Sequence, residues 1–149
     1  MSEETPFLET LLHIDRTHRE IYTGLRELLD DNDLRDLTPS QAMILVEVAR
    51  PGARISDLMA RCAQMSSNMS YNVQRLKDRG YVEVTRAPND GRGRIVTLTD
   101  AGERAIQTFR RALAGQLANP GAGRLTMNEA ELDELHRSLR RFLRVLVQS

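Results

Sequence analysis

Apolar residues recur at three- and four-residue steps along residues 7–30: Leu8, Leu11, Leu12, Ile14, Ile21, Leu25, Leu28 and Leu29, with charges between them. That spacing predicts a long amphipathic helix. It stops at the polar run DDNDLRD, and Gly24 weakens its middle modestly. So long a stripe at a chain end has to be covered, and a partner subunit is a good candidate. A second helix starts at Thr38-Pro39-Ser40-Gln41, with Thr38 as N-cap, Pro39 at the first helical position and Gln41 placed to close a capping box. Ala42, Ile44, Leu45, Val48 and Ala49 carry it to Pro51-Gly52, which ends it. A short third helix begins at Ile55-Ser56-Asp57, capped by Ser56, with Leu58, Met59 and Cys62 as its apolar positions. Ser66 caps a fourth. There Met69, Val73 and Leu76 share one face, Ser67, Tyr71, Gln74 and Asp78 face outward, and Gly80 closes the helix.

At that glycine the pattern changes from helical spacing to strand formers. YVEVT and IVTLT predict two strands, joined by the turn-rich basic tip RAPNDGRGR. Helical spacing then returns. A helix capped by Thr99 or Asp100 runs through Ala105, Ile106, Phe109, Leu113 and Leu117, and residues 118–123 break it. Thr126 caps a last helix striped by Leu132, Leu135, Leu139, Phe142, Leu143, Leu146 and Val147. No internal repeat or low-complexity segment interrupts this order. The expected fold is mainly α with a small β-ribbon. A polar-faced helix that feeds a two-stranded ribbon with arginines at its tip is the layout of a winged helix-turn-helix. Such a unit can offer its helix to the DNA major groove and its ribbon to the minor groove.

Composition changes this picture little. The chain has 149 residues, 40% hydrophobic and 28% charged, which suits one compact domain or one domain plus helical extensions. No apolar run approaches the roughly 20 residues of a membrane span. The acidic start MSEETPFLET is not a signal peptide, and the lone Cys62 gives no disulfide framework, so a cytoplasmic location is expected. Charge changes it more. The formal net charge is zero, yet residues 1–38 carry 4 basic against 10 acidic residues, whereas residues 39–99 carry 9 against 5. Positive charge is therefore concentrated in the predicted DNA reader, and local potential rather than the total governs phosphate attraction.

The candidate DNA contacts follow. Ser66, Ser67, Asn68, Ser70, Tyr71, Gln74 and Arg75 lie on the outer face or margins of the fourth helix, with hydroxyls, amides and a guanidinium suited to base edges and phosphates. Arg92 and Arg94 are placed to enter the minor groove, with Gly91 and Gly93 letting the backbone turn and approach. Arg86 and Arg54 are phosphate candidates. His13, His18 and His136 show no metal-ligand spacing, and no phosphate loop, nucleophile elbow or paired carboxylates are present. No cofactor, metal site or catalysis is expected. Cys62 sits at an apolar stripe position and reads as a buried structural cysteine.

Four stretches in this order and spacing carry a family resemblance: LTPSQAMIL at 37–45, ISDLMARC at 55–62, SSNMSYNVQRLKDRGYVE at 66–83 and NDGRGRIVTLTDAGERA at 89–105. Together they resemble the MarR family of bacterial transcription regulators. The resemblance implies a homodimer in which residues 1–36 form an N-terminal dimerisation helix, 37–99 the winged helix-turn-helix, and 100–149 the C-terminal dimerisation helices. It implies a repressor, or less often an activator, that reads a pseudo-palindromic operator in double-stranded DNA. It gives Asp90 the role of orienting the wing arginine through a charge-assisted bond. It also implies control by a small aromatic or acidic effector bound where the dimer helices meet the winged domain, with His13, Arg16, His18, Tyr22 and Met43 as candidate contacts. The alternative from sequence is a winged helix that serves protein interaction without reading DNA.

Overall fold

A computed structural model describes residues 4–51, 53–118 and 127–147. The element order is α1 (Glu4–Asp31), α2 (Pro39–Val48), α3 (Ile55–Arg61), α4 (Ser66–Asp78), β1 (Val82–Arg86), β2 (Arg94–Leu98), α5 (Asp100–Ala118) and α6 (Glu129–Leu143). Residues up to Leu113 make one compact unit, and those from Ala114 onward make a second. No helix among the described residues is long and apolar enough to cross a membrane.

The first unit is built around Leu29, Leu37, Ile44, Leu45, Leu58, Met69, Leu76, Val82 and Val96, all fully buried. Burying each aliphatic side chain of this size contributes about 1.5–3 kcal/mol. These residues come from α1, the α1–α2 loop, α2, α3, α4 and both strands, so one core ties the end of α1 to the winged unit. The polar stop after α1 works as the sequence suggests: Asp33 takes the left-handed backbone, φ 60°, which a short polar side chain tolerates.

The capping box of α2 is present as expected. Thr38 Oγ1 accepts the Gln41 N–H, Gln41 Oε1 accepts the Thr38 N–H, and Pro39 occupies the first turn. Three other caps differ from expectation. The N-cap of α3 is Arg54, not Ser56, and no side chain caps it. The cause is that Ala53 and Arg54 are extended along β2: Arg54 bridges Ile95, and the Val96 N–H donates to Ala53 O at 2.9 Å. The N-cap of α4 is Met65, not Ser66, again without a side-chain cap. The N-cap of α6 is Asn128, which forms a capping box with Glu131; Thr126 lies outside the described residues. Gly52 and residues 119–123, expected to break helices, lie outside them too.

The turn between α3 and α4 has Ala63 in the left-handed region, φ 49°. The Gln64 N–H donates to Met59 O and the Ala63 N–H to Ala60 O, a Schellman closure that glycine would fill without strain. The end of α4 repeats the geometry with the expected glycine. Gly80 has φ 77°, its N–H donates to Lys77 O, and the Tyr81 N–H donates to Leu76 O at 2.9 Å.

β1 and β2 pair antiparallel, from Val82 opposite Leu98 to Arg86 opposite Arg94. Tyr81 lies just before the ribbon. Thr99 joins the base of the ribbon to α5: its N–H donates to Tyr81 O at 3.1 Å, its hydroxyl donates to Gly80 O, and its Oγ1 accepts the Gly102 N–H at 3.1 Å. In the second unit, α6 buries none of its residues and exposes Leu132, Leu135, Leu139 and Leu143.

Candidate nucleic-acid interface

Helix α4 is positioned by its apolar face. Met69, Val73 and Leu76 are buried in the core, and helical geometry turns the remaining residues outward. Ser66, Ser67, Asn68, Ser70, Tyr71, Gln74 and Arg75 are all exposed. Tyr71 is 62% exposed, a large ring held in solvent. Gln74 donates to Asp78 Oδ1 at 2.7 Å, one turn further along the same face. Because no side chain caps α4, its first N–H groups are free to meet an anion.

The ribbon adds charge beside this helix. Arg86 and Arg94 stand directly opposite each other at the open end of the two strands, both exposed. Like charges in that position repel, and a phosphate between or beside them would relieve the repulsion. Together with Ser70, Gln74, Lys77 and Thr85 they line a groove between α4 and the ribbon. Lys77 was not among the residues singled out from sequence. Its spacing of three from Gln74 was the available signal, because that step keeps it on the groove side. A second groove, on the side of α3, is lined by Arg54, Ser56, Met59, Asp90, Arg92 and Arg94. Met65, the N-cap of α4, is a large apolar side chain left 76% exposed beside this face.

The wing tip corrects one expectation. Asp90 does not hold an arginine of the wing through its guanidinium. Its Oδ1 accepts the backbone N–H of Arg92 at 3.1 Å, and its Oδ2 lies 3.6 Å from Arg54 Nη1. The carboxylate thus shapes the turn and tethers it to the start of α3, leaving the Arg92 side chain exposed. Both partners of this ion pair are about half exposed, so its contribution is small. The two wing glycines also differ. A Cβ on Gly93 would meet Asp90 Oδ2 at 2.8 Å and Ala87 Cβ at 3.1 Å, whereas Gly91 faces open space. Only Gly93 is needed for close approach.

The candidate effector residues are only partly brought together. His18 and Tyr22 are in ring contact, centroids 4.6 Å apart, and the Tyr22 hydroxyl lies 3.0 Å from Ser40 Oγ. Arg16 pairs with Glu20 along α1, His13 is exposed, and Met43 packs against the core. The two grooves beside the wing include none of the five.

Cys62 caps the C-terminal end of α3, half-buried against the core. Burial, then the nearby Glu47 carboxylate, pushes its thiol above the ordinary value, with Arg61 opposing. That suits an inert thiol better than a reactive one. Among the described residues no group of three or more His, Cys, Asp or Glu side chains could hold a metal.

An exposed polar helix and an arginine-bearing ribbon on one helical core define a winged helix-turn-helix. Comparison with known proteins agrees. The sequence model of the MarR family matches residues 35–93, from the middle of the α1–α2 loop to the wing. The exopolysaccharide II synthesis transcriptional activator ExpG of Rhizobium meliloti (strain 1021) is 26% identical over 109 residues; the match takes in 73% of this chain and 56% of that relative's length. The crystal structure of MarR family transcription regulator SP03579 is 26% identical, with a TM-score of 0.71, over 96% of this chain and 94% of that one. Reduced AbfR bound to DNA, 18% identical, superposes with a TM-score of 0.75 over 97% of this chain and 96% of its own. The match to the MarR family thus covers the winged segment, residues 35–93, and the chain as a whole is similar in fold to MarR-family regulators.

Proposed function

We propose that this chain is a homodimeric transcription regulator that binds double-stranded operator DNA. Helix α4 enters the major groove, and the wing, residues 86–94, enters the minor groove beside it. The observation that carries this reading is the convergence of Lys77, Arg86 and Arg94 on the groove beside the exposed face of α4. Ser67, Asn68, Tyr71, Gln74 and Arg75 are the proposed base and phosphate contacts from the helix, with Ser66 and Ser70 at its margin. Arg92 and Arg94 act from the wing, and Arg54 and Arg86 meet the backbone. Asp90 makes no direct DNA contact in this reading and contributes the shape it gives the wing.

The dimer rests on two sets of exposed apolar side chains. Helix α1 exposes Leu8, Leu12 and Ile21, and α6 exposes leucines at three- and four-residue steps. A second copy of this chain covers them and places two reading heads on a pseudo-palindrome. The protein acts in the bacterial cytoplasm as a repressor. It releases DNA when a small aromatic or acidic molecule binds near His18, Tyr22, Ser40 and Met43, where α1 meets α2.

Selection of duplexes from a random pool by the purified protein, followed by sequencing, tests the reading. Two dyad-related half-sites about one helical turn or a multiple apart are expected, with salt-sensitive binding to random duplex beneath them. No enrichment and no salt-sensitive binding would leave a protein-interaction role instead. Thermal shift and operator release against a panel of aromatic acids test the effector site.

A further inference from the structure

One buried side chain joins α2 to the middle and the far end of the helix proposed to read DNA. Gln41 is 3% exposed, the one buried polar residue of the core among the described residues. Its Oε1 accepts from the Thr38 N–H at 3.2 Å and from Arg79 Nη1, at the far end of α4, at 3.1 Å. Its Nε2 donates to Asn72 Oδ1, in the middle of α4, at 3.2 Å. Asn72 passes the chain on: its Nδ2 donates to Gln64 Oε1, in the turn before α4, at 3.2 Å. Arg79 Nη1 also donates to Asp36 O in the α1–α2 loop.

Core packing by Met69, Val73 and Leu76 fixes how deep α4 sits, but apolar contact is non-directional. It sets which face of α4 points inward but leaves small rotations about the helix axis and small slides along it less sharply specified. Hydrogen bonds are directional and costly to leave unmade when buried. Gln41 grips α4 at Asn72 and Arg79, two turns apart, and Gln64 holds Asn72 from the other side. Rotation and slide are the movements that decide which side chains of the outer face meet a given base edge.

We infer that Gln41, with Asn72 and Gln64, is a positioning device that sets the presentation of α4 to DNA, and so governs discrimination between sequences rather than adhesion to DNA. This rests on the proposed DNA-reading function. None of the three residues touches DNA in that arrangement. The chain can also run backwards: if residue 41 offers only acceptors, both amides turn over, so that Asn72 donates to residue 41 and Gln64 donates to Asn72. Gln41→Glu therefore preserves the chain, and its carboxylate keeps the bonds from Thr38 and Arg79. Gln41→Leu, of similar size, breaks it. Gln64→Ala cuts the other end at a half-buried turn residue, with little risk to folding.

The test is fluorescence anisotropy of the full chain on the duplex that the wild type selects from a random pool, and on a scrambled duplex of the same composition. Measurements are made well below each variant's Tm. Gln41→Leu and Gln64→Ala are expected to lose about tenfold in the selected-to-scrambled affinity ratio, the size of one mispresented contact, with scrambled binding and its salt dependence unchanged. Gln41→Glu should stay close to wild type. If the wild type discriminates and Gln41→Leu and Gln64→Ala discriminate equally well, the positioning role is overturned while DNA reading stands. Equal losses on both duplexes also overturn it, because they mark general damage. Wild-type protein that binds neither duplex sinks the DNA reading and this inference together.

Discussion

Gly102→Ala sets two physical effects against each other in one substitution. Gly102 lies in the first turn of α5, and by helix propensity alone alanine would gain up to about 1 kcal/mol there. The structure predicts the opposite sign. A Cβ at this position would stand 2.1 Å from the Tyr81 carbonyl oxygen and 3.1 Å from Leu98 Cδ2. Carbon and oxygen are comfortable at about 3.3 Å or more, so the first turn of α5 has to retreat from the ribbon by about 1 Å. The same carbonyl accepts the Thr99 N–H, and Thr99 Oγ1 caps α5 through the Gly102 N–H. Overpacking costs about 1–3 kcal/mol and a weakened cap about 1 kcal/mol. Net of the propensity gain, the expected loss is about 2 kcal/mol, or a Tm lower by about 4–8 °C for a chain of this size. The assay is thermal and urea unfolding at fixed protein concentration, with Gly115→Ala as the control. Gly115 lies on the same helix with nothing within 4 Å of its would-be Cβ, and its replacement should stabilise slightly. If Gly102→Ala also left Tm unchanged or raised it, the close approach of α5 to the ribbon would be refuted.

Arg86→Ala or Arg94→Ala should make the plot of log affinity against log salt shallower by about 0.9 for each phosphate that is no longer neutralised, and should leave folding stability unchanged or slightly higher by removing a facing like charge. An unchanged slope would take that arginine off the phosphate. Tyr81, whose hydroxyl donates to the Asp36 carboxylate at 2.9 Å, has its pKa pushed up to about 12, first by burial and then by that bond and charge. A raised folded pKa means the stabilisation is complete below the unfolded value of about 10 and is lost as pH climbs towards 12; a tyrosinate step near pH 12 that survives in Tyr81→Phe would refute the assignment. Ala63→Gly should stabilise by about 0.5–1 kcal/mol, because a left-handed alanine costs about 1–2 kcal/mol and glycine's extra unfolded freedom returns part of it. A loss of stability in urea unfolding would mean that φ at residue 63 is not positive.

Features that depend on local periodicity were legible in the sequence. The buried face of α4, the box at Thr38 and Gln41, the left-handed Gly80 and the ribbon follow from spacing and from residues with one strong backbone preference. What escaped depends on contacts between distant segments. Ser56 and Ser66 are good caps by composition, but the pairing of Ala53–Arg54 along β2 starts α3 earlier than Ser56 allows. Nothing local pairs Arg54 with Asp90, or Gln41 with Asn72, residues 31 apart in sequence. Most of the polar contacts proposed for DNA were readable because they lie on one exposed face and one turn. The residues that orient that face were not, because a glutamine in a capping box already has a sufficient local reason to be there.

The placement of these hidden contacts bears on how the wing would act. The ribbon is held at its base by Thr99 and the close approach of Gly102, along one edge by Ala53–Arg54, and at its tip by Asp90 folding back on the Arg92 N–H. A wing fixed at three places has little backbone freedom to lose on binding, so DNA meets charges already in position and the ordering cost falls mainly on the arginine side chains. Opposed Arg86 and Arg94 add to this, because their repulsion is present before binding and is relieved by it. Loss of either arginine should therefore report charge rather than a disordered loop. The contrast is Asp90→Ala, which removes a negative charge and so by electrostatics alone should raise affinity. Should it lower affinity instead, the shape of the wing outweighs its charge.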